Sequence, residues 1–244
     1  MNYDSIYKHH ANTTIDWCVT DTQEQYELHL KTRRDDLASL GWIDNKVSYT
    51  FNEHGFRCPS FENKPSIMFL GCSHTVGIGI NIEDTWGHLV SKELNLHCIN
   101  LGQGGGTNDT AFRLGYHWIP KLKPKIVFLL QPQSSRLEII SRSQNIHFLL
   151  TGQTTPGQWE GWYNDWLSVD SNSMLNFQKN TLALTEICKQ NRAEFRCMSA
   201  GAIPQWDKAR DLLHDGVISH IKFVTPVLSL IEDPNAHMPR TPRT

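Results

Sequence analysis

The sequence lacks any run approaching the eighteen or so apolar residues that a membrane span requires, and its opening residues, MNYDSIYKHHANTTIDW, lack the apolar core of an export signal. The expectation is a soluble, cytoplasmic protein with no membrane partner. No long Lys/Arg run occurs and the formal net charge is only -2, so no electrostatic footprint for a nucleic acid is present. Six cysteines are scattered without a CxxC pair or zinc-finger spacing, which reads as buried free thiols in a reducing compartment. Twelve histidines include no H-E-x-x-H or comparable ligand pair, so no metal is expected. A phosphate loop is excluded because Gly-Lys-Ser/Thr is missing. In GQGGG the last glycine of a dinucleotide fingerprint is replaced by Thr107. No cofactor is therefore expected, and the sequence leaves the oligomeric state open.

What is present fits one α/β domain, since 244 residues bury a sizeable core but are short for two full domains. Residues 1–64 read as an N-terminal extension packing on the core, 65–232 as the main domain, and 233–244 as a polar, Pro-rich tail. Within the extension, 21–40 suits a surface helix and VSYTFNEHGF an alternating strand that ends in an Asn and Gly turn. From Pro65 short apolar runs alternate with helical ones: strand 66–71, a helix over 85–95 capped by Asp84, strand LHCINLG, and a helix opened by Thr107 and running to about Ile119. KPKIVFLLQ, the helix NFQKNTLALTEICKQN, the strand EFRCMS and a C-terminal helix starting near Asp215 follow. This order predicts a three-layer α/β/α sandwich with a mainly parallel central sheet.

The stretch IMFLGCSHTVGIGI carries the chemistry. A buried strand running into Gly-x-Ser places the Ser73 hydroxyl at the carboxyl end of the sheet, where open α/β folds build their sites. Near a helix start, the Ser73 backbone N–H also faces a developing oxyanion. Taken alone this signal is weak, since a serine capping a helix after a strand is common. Near the other end stands ARDLLHDG, in which Asp211 and His214 are separated by two residues on one turn. That spacing lets an imidazole face a serine while the carboxylate orients the ring.

GCSHTVGIG and ARDLLHDG together resemble the first and last blocks of the SGNH (GDSL-like) hydrolases, with Cys72 standing where the family usually has Asp. The likeness runs from 66 to about 224, with WGHLVSKEL, CINLGQGG and KPKIVFLL in the family's order. It implies a flavodoxin-like α/β fold and a Ser73-His214-Asp211 triad. It further implies an oxyanion hole built by Ser73 and by Gly105 in NLGQGG. The family's third block is an Asn after the next parallel strand. Here that strand ends in LLQPQSSR and offers Gln131, Gln133 or Ser134, while GTND comes early. Asn108 either turns its amide toward the oxyanion or caps its helix.

Trp159, Trp162 and Trp166, at i, i+3 and i+7, share one face of a helix, which packs inward or forms an aromatic wall over the serine. Arg136, Glu138 and His147 line the same pocket or pair on the surface. The resemblance implies hydrolysis of a small acyl or acetyl ester, a carbohydrate ester being one candidate. O-acyl transfer by the same triad, or a non-catalytic binding or structural role on the same fold, are the alternatives.

Overall fold

The computed structural model describes residues 3–17, 22–39, 43, 47–143, 145–149, 157–167 and 169–199, with the strand pair 222–223. The chain opens with β1 (Thr14–Ile15), α1 (Gln23–Thr32), α2 (Arg34–Ser39) and β2 (Tyr49–Thr50). β3 (Ser66–Leu70), α3 (Ser73–Val76), α4 (Trp86–Glu93), β4 (His97–Asn100), α5 (Asn108–Leu122) and β5 (Ile126–Gln131) follow. The last elements are β6 (Leu137–Ile140), β7 (Ile146–Leu149), α6 (Gly157–Trp162), α7 (Asp170–Gln190), β8 (Glu194–Ser199) and β9 (Lys222–Phe223).

The central sheet has the order β4-β3-β5-β8-β9, and every neighbouring pair is parallel. Successive side chains of a strand face opposite ways, and β3 buries both of its faces. Met68 and Leu70 join Val127, Leu129, Phe195 and Cys197 beneath Ala111, Leu114 and Ile119 of α5 and Leu184 and Cys188 of α7. Ile67 and Phe69 join Leu130 and Met198 on the other face, against Trp86 of α4. The expected α/β sandwich with helices on both faces of a mainly parallel sheet is therefore what folds.

Several boundaries differ from the sequence reading. The cap of α4 is Thr85, whose hydroxyl accepts from His88 N at 3.3 Å, and not Asp84, which ends a preceding 3-10 turn. The helix expected over 21–40 breaks at Arg33, where the backbone turns to φ -143 and ψ 39. The strand expected over 47–56 keeps only β2, paired antiparallel with β1. The stretch 141–175 holds part of an antiparallel β6–β7 hairpin, α6, and a π-helical turn over Tyr163–Leu167.

Parts of the N-terminal region reach the core: Phe56 and Cys58 enter the main cluster, and the Trp118 indole donates to Tyr3 O at 2.9 Å. Cys58, Cys72, Cys188 and Cys197 are buried free thiols and Cys98 is half-buried, while Cys18 lies outside the described residues.

Candidate active site

The strand order decides where a site forms. From β3 the chain moves to β4 through α4 on one face, and from β4 it crosses to the far side of β3, through α5 on the other face, to enter β5. Connections leaving β3 and β5 thus cover opposite faces, which opens a crevice at the carboxyl ends of those two strands. Gly71 and Cys72 lead from β3 into that crevice, and half-buried Ser73 is the first residue of α3. A four-residue helix keeps its first N–H groups without intrahelical acceptors, so the amide of Ser73 belongs to that set.

The chain can turn so tightly here because Gly71 carries no side chain. A Cβ at that position would collide with Thr75 Oγ1 and stand 2.9 Å from Leu130 O, the backbone of the neighbouring strand. Beyond the helix, Gly77 takes the left-handed conformation (φ 77) that ends it. The buried Arg57 guanidinium then donates to Val76 O at 3.2 Å, Gly77 O at 2.5 Å, Ile80 O at 2.8 Å and Ser48 O at 2.9 Å, and lies 4.3 Å over the Tyr49 ring. The exit of α3 is thereby tied to the N-terminal region.

Two buried amides weld the glycine-rich loop to this turn. Asn100 Nδ2 donates to Thr75 O at 2.6 Å while its Oδ1 accepts from Gly102 N at 2.9 Å. Gln103 N donates to Gly71 O at 3.1 Å, and its side-chain oxygen accepts from Ile6 N at 2.8 Å and Ser5 Oγ at 3.2 Å. Neither residue was singled out from the sequence. Only the long-range partners reveal them.

Gly105 sits in this loop, half-buried and with φ 73, a conformation that glycine adopts without strain. Asn108 does not cap α5. That role belongs to Thr107, whose hydroxyl accepts from Asp109 N at 3.1 Å and Thr110 N at 3.2 Å while Thr110 Oγ1 accepts from Thr107 N at 3.1 Å. Asn108 is buried, its Nδ2 reaches Pro132 O at 3.4 Å, and its Oδ1 has no hydrogen-bond partner among the described residues. The amide thus bridges to the end of β5, the second wall of the crevice. Gln131 is also buried there, and neither of its amide atoms has a hydrogen-bond partner among the described residues. Gln133 is exposed and Ser134 half-buried.

Electrostatically the unusual group is Cys72, directly before Ser73. Burial pushes its thiol up, but hydrogen bonding and charge from His74, whose Nδ1 is 3.6 Å away, together with the charge of Arg136, bring it down to about 7. Glu138 is no surface partner. It forms a buried two-pronged pair with Arg113, Nε to Oε1 at 2.6 Å and Nη2 to Oε2 at 3.0 Å. Asp109 accepts from Glu138 N, Asn176 Nδ2 and Asn180 Nδ2, so the hairpin, α5 and α7 meet on one carboxylate.

Trp159 and Trp166 pack with Leu137, Ile139 and Tyr163 on the hairpin, whereas Trp162 is exposed and stacks on Trp166 at 5.5 Å. The expected single stripe is split because the π-helical turn beginning at Tyr163 changes the residue period. His147 is half-buried on β7.

Asp211 and His214 lie outside the described residues, as does the helix expected near Asp215. Ser73, Gly105 and Asn108 belong to segments that meet at the carboxyl edge of β3 and β5. Among the described residues no group of three or more His, Cys, Asp or Glu is placed to hold a metal ion, and no helix is long and apolar enough to cross a membrane.

No family model and no curated protein matches the chain. Among solved structures it is similar to a putative lipolytic protein of the G-D-S-L family from Desulfitobacterium hafniense, at 13% identity over 60% of this chain and 66% of that one, with a TM-score of 0.38. It is similar also to the psychrotrophic esterase EstA from Pseudoalteromonas sp., at 14% identity over 72% of this chain and 88% of that one, with a TM-score of 0.42. A GDSL-like lipase from Bacteroides thetaiotaomicron gives 13% identity over 84% of this chain and 82% of that one, with a TM-score of 0.40. Likenesses this weak leave any functional reading to rest on the chain's own residues.

Proposed function

We propose that the chain hydrolyses a small acyl or acetyl ester, with Ser73 as the nucleophile and His214 and Asp211 as its base and orienting acid. The supporting observation is the position of Ser73. It stands half-buried where β3 ends beside β5, at the point where the strand order reverses, on a turn locked by Gly71, Asn100 and Gln103. Such locking matters because hydrogen-bond donors stabilise an oxyanion only if they are already aimed before charge develops.

In this reading His214 takes the Ser73 proton as the hydroxyl oxygen attacks the ester carbonyl. The alcohol leaves with that proton, and a short-lived acyl-Ser73 remains. Water, deprotonated by the same imidazole, then releases the acid. The amides of Ser73 and Gly105 and the side chain of Asn108 are the oxyanion donors of the proposal. No cofactor takes part.

Turnover of p-nitrophenyl acetate by the wild type and by Ser73→Ala tests it. Wild-type turnover, lost in the variant at unchanged Tm, is expected. Equal turnover by both removes Ser73 from the chemistry.

A further inference from the structure

Among the described arginines, Arg57 and Arg136 each bury an Nε that has no hydrogen-bond partner, and they differ in what the rest of the guanidinium does. Arg113 is paired with Glu138, and Arg57 donates to four backbone carbonyls. Arg33 and Arg196, nearer the surface, hold Asp36 and Glu194. Arg136, in the turn after β5, is half-buried with its Nε shut away from solvent, yet that nitrogen has no hydrogen-bond partner and the side chain forms no ion pair among the described residues. The nearby acidic groups are already engaged: Glu138 by Arg113, and Asp109 by Asn176 and Asn180.

Arg136 has a known neighbour. Its positive charge is felt at the Cys72 thiol, after the larger effects of burial and His74, so the guanidinium acts on the residue that precedes Ser73. Arg136 belongs to the turn after β5, where its backbone N donates to Gln133 O at 3.2 Å, and β5 ends against the Ser73 turn, with Leu130 O facing Gly71.

A buried N–H of a permanent cation is seldom left unpaired, because the lost hydration is not replaced. The fork of a guanidinium fits a carboxylate or phosphate through two parallel hydrogen bonds. We infer that Arg136 is a specificity-determining residue that binds an anionic group, a carboxylate or a phosphate, carried by the substrate whose ester reaches Ser73. This inference rests on the esterase reading and narrows it, since the preferred substrates are then acidic esters rather than neutral ones.

The test compares p-nitrophenyl hemisuccinate, which carries a free carboxylate on the acyl side, with neutral p-nitrophenyl acetate. The wild type should favour the hemisuccinate in kcat/KM, and Arg136→Gln should lower the hemisuccinate-to-acetate ratio by about tenfold to a hundredfold, the value of a charge-assisted pair. Arg136→Lys, which keeps the charge but not the fork, should fall between them. An unchanged ratio in Arg136→Gln overturns the inference.

A second arm separates this outcome from failure of the esterase reading. Succinate and inorganic phosphate should each be tested for raising the Tm of Ser73→Ala and of the Ser73→Ala/Arg136→Gln double variant. A rise that needs Arg136 supports the anion site even if no ester is turned over, and the more effective anion identifies the group. Equal responses in the two proteins overturn it.

Discussion

The Asn100 side-chain nitrogen donates to the Thr75 carbonyl at 2.6 Å, so one buried amide at the end of β4 holds the third residue of the Ser73 helix in place. Its oxygen accepts from Gly102 N, which makes the same side chain the anchor of the glycine-rich loop. Asn100→Ala leaves two buried backbone groups unpaired, each costing about 1–3 kcal/mol. The expected result is a lower Tm together with a loss of ester turnover in the fraction that remains folded, measured by calorimetry and by activity per folded molecule.

Thr107 and Asn108 are adjacent and should separate stability from activity. Thr107→Ala removes the cap of α5 and should cost about 0.5–2 kcal/mol in denaturant unfolding. Asn108→Ala gives up only a 3.4 Å bond to Pro132 O and should change unfolding little. If the Asn108 amide supplies an oxyanion bond, its loss lowers kcat by about two to three orders of magnitude. A normal kcat in that variant assigns the amide to packing alone.

The Arg113–Glu138 pair is buried on both sides and joins α5 to the hairpin. Removing one partner strands the other charge, so Glu138→Gln should destabilise by about 3–5 kcal/mol. Replacing both by apolar side chains, Arg113→Met with Glu138→Leu, should cost less than the single change. Urea unfolding of Arg113→Met, Glu138→Leu and the double variant completes the cycle.

Cys72 should titrate apart from the other described thiols. Burial raises Cys98 to about 11 and Cys188 to about 12, whereas the effect of burial on Cys72 is outweighed by His74 and Arg136, leaving it at about 7. Its folded value lies below the ordinary 9.0, so the native state holds the thiolate while the unfolded chain still holds the proton. The resulting stabilisation is full above about 9, shrinks as pH falls between them, and is gone below about 7. Thiolate ultraviolet absorbance, taken as wild type minus Cys72→Ser, should rise with a midpoint near 7. His74→Ala should move that midpoint upward.

The parallel sheet was legible because β3 and β5 are short apolar runs buried on both faces, a pattern that needs no distant information. The start of α5 was legible because Thr107 is a capping residue in place. At α4, Asp84 and Thr85 are both good caps, and only backbone geometry selects Thr85. The hydrogen bonds of Gln103 to Ser5 and Ile6 span more than ninety positions, and no local periodicity encodes them. Glu138 looked like a pocket or surface residue because its partner, Arg113, lies 25 residues earlier on another element. Ser73 was found through the strand that delivers it, whereas Arg136 became notable only once the partners of Glu138 and Asp109 were known.

A fluorophosphonate probe, followed by peptide mass analysis, tests the assignment of Ser73 most directly, since it reads nucleophilicity without any assumption about the substrate. The account predicts a single adduct on the peptide containing Ser73, absent from Ser73→Ala and strongly slowed in His214→Ala. An unlabelled wild type, or an adduct on a different residue, contradicts it.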